Sequence, residues 1–345
     1  MQIIEASKRP RVSLGHFPTP LEPMPNLSRM LGGPSLYVKR EDCSGLATGG
    51  NKTRKLEFVV ADALSKQADT LITQGGVQSN HVRQTAAAAA RFGLRCEVIL
   101  ENRIGKDDVE YCESGNVLLD RLLGAQLHVV PSGTDMRAAM EDLAQRLRAG
   151  GARPYVIAGG ASTPAGSLAY ADCAEEILLQ ARSLGIRVNH VITATGSAGT
   201  QAGLVAGFRM LKSDAAVTGI GVRAAVGAEE QVLRLARAAA DLAGFEGEVE
   251  SSRVRVNCDY LGAGYGMPTP AAMRAIWLAA RMEGLLLDPV YTGKCMAGLI
   301  DLIRKDYFDE ESAVVFLHTG GSQALYGYRS SFATAPVHES GTHCI

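Results

Sequence analysis

The stretch Val188-Asn189-His190-Val191-Ile192-Thr193-Ala194-Thr195-Gly196-Ser197-Ala198-Gly199-Thr200-Gln201-Ala202-Gly203 reads as a buried strand, a glycine-rich loop and the opening of a helix. The apolar run over 188–193 suits a parallel strand covered on both faces. The loop leaves backbone N–H groups free at a helix N-terminus, where a phosphate is stabilised. Ser197 and Thr200 add hydroxyl donors. The glycines at 196, 199 and 203 miss the Gly-x-Gly-x-x-Gly dinucleotide spacing, and no acidic residue ends the next strand at Val222-Arg223. The loop also lacks a Gly-Lys-Ser/Thr ending, so a single phosphate is the better fit. Glycines that serve only helix–sheet packing are the competing reading.

The same alternation extends in both directions. Upstream, strands are expected at 36–40, 70–73, 95–100, 126–130 and 155–157. Helices follow Lys52, run from Ser79-Asn80 to Gly93, and cover 116–123, 136–148 and 171–184. Downstream, a helix reaches Leu211, a strand covers 217–222, helices cover 228–243 and 270–283, and a last strand covers 313–318. Strands and helices at this spacing predict right-handed βαβ units, hence an α/β protein built on parallel sheet. Phe17-Pro18-Thr19-Pro20-Leu21-Glu22 is an extended lead-in, since a helix cannot run through both prolines. Residues 329–345 lack periodicity and read as a frayed tail.

Lys and Arg total 35 against 36 Asp and Glu over 345 residues, a net charge of −1. Such balance gives no field for nucleic acid or an acidic membrane. The seven cysteines are scattered without a Cys-x-x-Cys pair, against both a disulfide framework and a structural zinc. No His/Asp/Glu set has metal-ligand spacing, so no metal is expected. The first residues lack a signal-peptide core, and no apolar run approaches the ~20 residues of a membrane span. A cytoplasmic protein is the expectation.

Gly49-Gly50-Asn51-Lys52-Thr53-Arg54-Lys55-Leu56-Glu57 places a lysine at a helix start after a sharp turn. A cation there is disfavoured by the helix dipole, so the amine loses its proton more readily and suits attack on an aldehyde. Taken alone, a solvated basic helix start is the simpler reading. Ser79-Asn80-His81 opens a second helix, where donors could receive a carboxylate, although Ser and Asn are also ordinary caps. Tyr265 and Tyr291 stand in turn-rich loops, as proton-passing phenols or as half-buried tyrosines. His318-Thr319-Gly320-Gly321 ends a buried strand, the end at which open α/β sheets bind ligands.

Together these motifs resemble the fold-type II pyridoxal-phosphate enzymes, in the branch of D-cysteine desulfhydrase, L-cysteate sulfo-lyase and 1-aminocyclopropane-1-carboxylate deaminase. The resemblance covers 17–328 and is most specific at 49–57, 73–85, 196–200 and 287–301. It implies two open, mostly parallel twisted sheets flanked by helices, as in the tryptophan synthase β subunit. Residues 1–55 with 171–345 would form a large cofactor-binding domain and 56–170 a smaller one, with the site between them. It implies Lys52 as the Schiff-base lysine and Asn51 at the ring oxygen of pyridoxal 5'-phosphate. Lys55 with Gly196, Ser197, Ala198, Gly199 and Thr200 would hold the phosphate, and Thr319 would also touch the cofactor. Ser79, Asn80 and His81 would take the substrate carboxylate, with Thr292 also at the substrate. Tyr265 and Tyr291 would flank it as catalytic groups beside Lys52. A homodimer is implied by the resemblance alone.

The deaminase pattern has a glutamate after the second tyrosine and a leucine after the strand histidine, where this chain has Thr292 and Thr319. A hydroxyl does not keep a pyridine nitrogen protonated as a carboxylate does, so the cofactor is a weaker electron sink. That favours β-elimination over cyclopropane opening. D-cysteine is the first expected substrate and L-cysteate the second, because Asp42-Cys43-Ser44-Gly45-Leu46-Ala47-Thr48-Gly49-Gly50 looks like the sulfo-lyase version. The deaminase reaction ranks third, and an amino-acid-binding module without chemistry is the non-enzymatic alternative.

Overall fold

The computed structural model describes residues 9–223 and 226–333. The chain opens with β1 (Leu21–Pro23), α1 (Pro25–Leu31), β2 (Ser35–Lys39) and α2 (Lys52–Ser65). A second group holds β3 (Thr70–Gly76), α3 (Asn80–Arg91), β4 (Arg95–Asn102), α4 (Val109–Glu113), α5 (Gly115–Leu122), β5 (Gln126–Pro131), α6 (Met136–Ala149) and β6 (Pro154–Val156). The remainder is α7 (Pro164–Ser183), β7 (Val188–Thr195), α8 (Gly199–Met210), β8 (Ala216–Gly221), α9 (Ala228–Leu242), β9 (Val254–Asn257), α10 (Pro270–Glu283), α11 (Thr292–Arg304) and β10 (Ala313–Leu317).

These strands form two sheets, as expected for the α/β class. The larger runs β1-β2-β10-β7-β8-β9 and is parallel except at β1. The smaller runs β5-β4-β3-β6 and is parallel throughout. β10 explains why its sequence is an unbroken apolar run. Val315 and Leu317 enter the core made with α7, α8 and α9, while Val314 and Phe316 enter the core made with α10 and α11. Around the smaller sheet, Leu71 packs with Leu56 and Val82 of α2 and α3, and Ile72 packs with Leu143 of α6 on the other side. No helix of the described residues is long and apolar enough to cross a membrane.

Three local expectations are corrected. Helix α7 begins at Pro164 rather than at 171, capped by the Thr163 hydroxyl, which accepts from Gly166 N at 3.1 Å. Gly166 is there for contact: a Cβ would stand 2.1 Å from Ala161 O. The stretch around Tyr291 is not a loop, because α11 starts at Thr292. Eleven of its 13 residues are buried, so it has no polar face to reveal a helical period. Of the expected frayed tail, 329–332 belong to 3-10 turns over Ser322–Phe332, and 334–345 lie outside the described residues.

Behind the Lys52 turn, a buried ionic cluster joins β2, α2 and α7. Arg54 meets Glu41 and Glu176, each at 2.8 Å, and Lys39 meets Glu176 at 2.8 Å. Burial alone would raise the Glu41 carboxyl, yet the Arg54 guanidinium outweighs it and brings it down to about 2. Glu41, Cys173 and Glu176 bring ligand-type atoms within 4.8 Å of one another, but the two cations already serve these carboxylates.

Candidate active site

A cleft opens where residues following β3 and β6 face residues following β7, β8 and β10. It lies at the C-terminal ends of parallel strands, where such sheets bind ligands. Lys52 stands in it as the first residue of α2. Its turn needs both glycines: Gly49 and Gly50 have φ of +74° and +129°. A Cβ at Gly49 would meet Asp42 O at 1.9 Å, and one at Gly50 would meet Gln84 Nε2 at 2.7 Å. The turn is tied down by Asn51 N–H donating to Thr319 O (3.0 Å) and Thr53 N–H donating to Gln84 Oε1 (2.8 Å). Lys52 Nζ donates to Asn51 Oδ1 at 3.0 Å. Burial lowers the Lys52 amine to about 8. Desolvation therefore does what the sequence reading assigned to the helix dipole.

The glycine loop after β7 sits beside Lys55. Ser162 and Ser197 hydroxyls pair at 2.8 Å, Gly199 N–H donates to Ser162 Oγ at 3.3 Å, and Lys55 Nζ donates to the same oxygen at 3.2 Å. A Cβ on Gly199 would stand 2.8 Å from Lys55 Nζ. Burial, with the Lys52 charge, pushes the Lys55 amine well below the usual range. Among the described residues no carboxylate pairs with it. A buried lysine amine among hydroxyls and loop N–H groups is a donor set for a bound anion, whose charge would favour the protonated amine, and a phosphate monoester fits it. Asn51 Nδ2 donates to Thr200 Oγ1 at 2.9 Å, joining the lysine turn to this loop.

Ser79 caps α3, its hydroxyl accepting from Val82 N at 3.3 Å. The N–H groups of Asn80 and His81 are the first two of that helix and have no partner within it. The His81 ring turns to β3, with Nε2 2.8 Å from Thr73 Oγ1. Thr73 gives its own proton to Ile157 O at 3.0 Å, so Nε2 must be the donor. Nδ1 is left a bare acceptor, and burial followed by the Lys52 and Lys55 charges keeps the ring neutral.

Tyr265 and Tyr291 line the cleft, hydroxyl to hydroxyl at 2.5 Å. Burial raises both phenols; the Arg103 guanidinium opposes this at Tyr265, and the Tyr265 neighbour adds to it at Tyr291. Thr319 also lines the cleft. Thr292 does not join it: it is fully buried, accepting from Asp288 N (2.7 Å) and donating to Asp288 Oδ2 (2.9 Å).

Sequence reasoning missed Gly160 and Ser162, although Gly159-Gly160 followed by Ser162-Thr163-Pro164 is a turn with a helix-start signal. Gln74, Arg103 and Arg223, single polar residues that line the cleft, carry no sequence signal. Asp288, three residues ahead of Tyr291, caps α11, accepting from the Val290, Tyr291 and Thr292 N–H groups.

With Lys52, a loop of hydroxyl and N–H donors beside Lys55, and the N-terminus of α3 in one cleft, the fold and site define an enzyme that works through a bound aldehyde phosphate. The chain belongs to the pyridoxal-phosphate dependent enzyme family, which matches residues 12–320. Family membership also decides against the binding-module alternative. It is 45% identical to the D-cysteine desulfhydrase of Salmonella schwarzengrund (strain CVM19633) over 329 residues, 95% of this chain and 99% of that one. The Salmonella typhi D-cysteine desulfhydrase matches to the same extent. A crystal structure of an ACC deaminase homologue superposes with a TM-score of 0.86 at 37% identity, over 95% of this chain and 97% of that one.

Proposed function

We propose that the protein is a carbon–sulfur lyase that converts D-cysteine and one water to pyruvate, ammonia and hydrogen sulfide, the water replacing the amine after the C–S bond has broken. The observation that carries this reading is the charge of the cleft: Lys52, Arg103 and Arg223 line it and, among the described residues, no carboxylate does. With no acid at hand to protonate the pyridine nitrogen, a good leaving group at Cβ is the chemistry that remains accessible. The likeness to D-cysteine desulfhydrases supports the same substrate.

Lys52 would hold the cofactor covalently, with Asn51 and Thr319 beside it and Lys55 with the 196–200 loop at its phosphate. When bound, pyridoxal phosphate captures the substrate amine and spreads the charge left when the α-proton departs. Ser79 Oγ with the N–H groups of Asn80 and His81 seats the substrate carboxylate. Lys52, once released, takes the α-proton, its lowered pKa suiting a base near neutrality. The C–S bond breaks with its electron pair on sulfur. The protonated Tyr265–Tyr291 pair supplies the proton that turns the leaving thiolate into hydrogen sulfide. Thr292 serves the substrate only through Asp288 and the start of α11. The four-stranded sheet falls within 56–170, which supports reading that span as a smaller domain and 1–55 with 171–345 as the larger; a cytoplasmic homodimer is part of the same proposal.

L-cysteate, yielding sulfite, is the second reading. Arg103 lies over the Tyr265 ring at 4.8 Å, and both it and Arg223 line the cleft beside the tyrosines, where a sulfonate would need counter-charge. Purified holoenzyme offered D-cysteine, L-cysteine and L-cysteate decides the matter by pyruvate release. Sulfide from D-cysteine is expected; pyruvate only from L-cysteate selects the second reading, and pyruvate from none of the three rejects a lyase. Size-exclusion with light scattering tests the dimer.

A further inference from the structure

Arg83 of α3 is fully buried one turn after Asn80, with no part in the chemistry described above. Its Nη1 lies 2.7 Å from Asn116 Oδ1, 2.6 Å from Gln323 Oε1 and 3.2 Å from Asn80 Oδ1, and Nη2 donates to Gly49 O at 2.7 Å. Every acceptor is neutral, and Nε has no partner. Among the described residues no carboxylate forms an ion pair with it. A buried guanidinium without a counter-ion is costly, and such a charge is retained where an anion shares its field.

The contacts also fix the Asn80 amide. Its Oδ1 is met by two donors, Arg83 Nη1 and Asn116 Nδ2, the latter at 2.9 Å. A flipped amide would press N–H against N–H, so Oδ1 belongs on the Arg83 side. Nδ2 is thereby turned toward Gly321, where a Cβ would stand 2.7 Å from it and 2.6 Å from Asp288 Oδ2, and Asn80 lines the cleft. Gly49, on the other side of Arg83, opens the turn that carries Lys52.

We infer that Arg83 is a positioning residue for the substrate carboxylate: its unpaired buried charge attracts that anion, and it orients the Asn80 donor and the Gly49–Lys52 turn around it. This rests on the proposed carboxylate seat at Ser79–His81. Two further groups face the argument. Asp120 is buried with neither oxygen partnered; burial pushes its carboxyl up to about 8 against the opposing pull of Arg83, and it forms no ion pair with the guanidinium. The charge of Asp288 also reaches Arg83, but its oxygens accept from the Tyr291 and Thr292 N–H groups at the start of α11 and make no ion pair with the guanidinium.

The test uses holoenzyme variants Arg83→Met, Arg83→Lys and Gln323→Glu. The last keeps the geometry but sets a carboxylate on the guanidinium, cancelling its charge. Binding of D-alanine and of ethylamine, the same amine without a carboxyl, is read from the cofactor absorbance, alongside KM and kcat for D-cysteine. Arg83→Met and Gln323→Glu are expected to weaken D-alanine by about tenfold or more, with KM rising alike and ethylamine unchanged. Arg83→Lys restores part of the loss. If Arg83→Met fails to retain cofactor, Gln323→Glu decides. Equal weakening of both ligands, or D-alanine binding unchanged in Gln323→Glu, overturns the inference. The D-alanine arm needs no turnover, so its result stands even if D-cysteine proves not to be the substrate.

Discussion

The hydroxyls of Tyr265 and Tyr291 meet at 2.5 Å with their rings edge-to-face at 73°, one phenol from a loop and the other at the start of a helix. Two phenols so placed share a proton path, and burial keeps both protonated near neutrality. Replacing either by phenylalanine removes the donor to the leaving sulfur while preserving the ring packing. Tyr265→Phe and Tyr291→Phe are each expected to lower kcat by about a hundredfold or more with little change in KM. Steady-state pyruvate release measures this, and the double variant should lose little beyond the worse single one.

Lys294 holds the Tyr265 loop from below. Its Nζ donates to Leu261 O at 2.8 Å and Gly264 O at 3.0 Å, and burial lowers its amine to about 8. Lys294→Met leaves two carbonyls unpaired and frees the loop. A fall in kcat of roughly tenfold is expected, absent when the change is made in a Tyr265→Phe background.

The regular alternation of strand and helix was legible because buried parallel strands such as 313–317 read as apolar runs and helices such as α3 carry a serine cap. What hid was structure buried on all sides. Helix α11 has no polar face, and α7 starts through Thr163-Pro164 ahead of its apolar pattern. At the site, Lys52, Ser79 and the 196–200 loop were visible because each needs glycines or caps of a recognisable kind. Arg83 and Arg103 were not: a single arginine on a helix or after a strand reads as a solvated surface charge until the fold covers it. The Lys52 shift shows the same limit, since burial is a tertiary property.

Acid should weaken the fold through Glu41. Its folded pKa of about 2 lies below the ordinary 4.5, so its contribution is complete above 4.5 and is lost as pH falls from there toward 2. The shift corresponds to on the order of 3 kcal/mol. Denaturant unfolding at pH 7 and pH 3 should show about 2 kcal/mol of that loss in the wild type and a smaller one in Glu41→Gln.

Loading of apoprotein with pyridoxal phosphate should track the free Lys52 amine. With a pKa of about 8, that amine is mostly protonated below it, so the loading rate should climb with pH and level off above about 8. Stopped-flow absorbance across the range checks this. A midpoint near the ordinary lysine value would show that burial does not lower Lys52.

The most direct test is borohydride reduction of the wild-type holoenzyme followed by peptide mapping. The account predicts reduced cofactor fixed on Lys52 alone, with no adduct in Lys52→Ala and none on Lys55 or Lys294. An adduct on another lysine, or one that persists in Lys52→Ala, would contradict it.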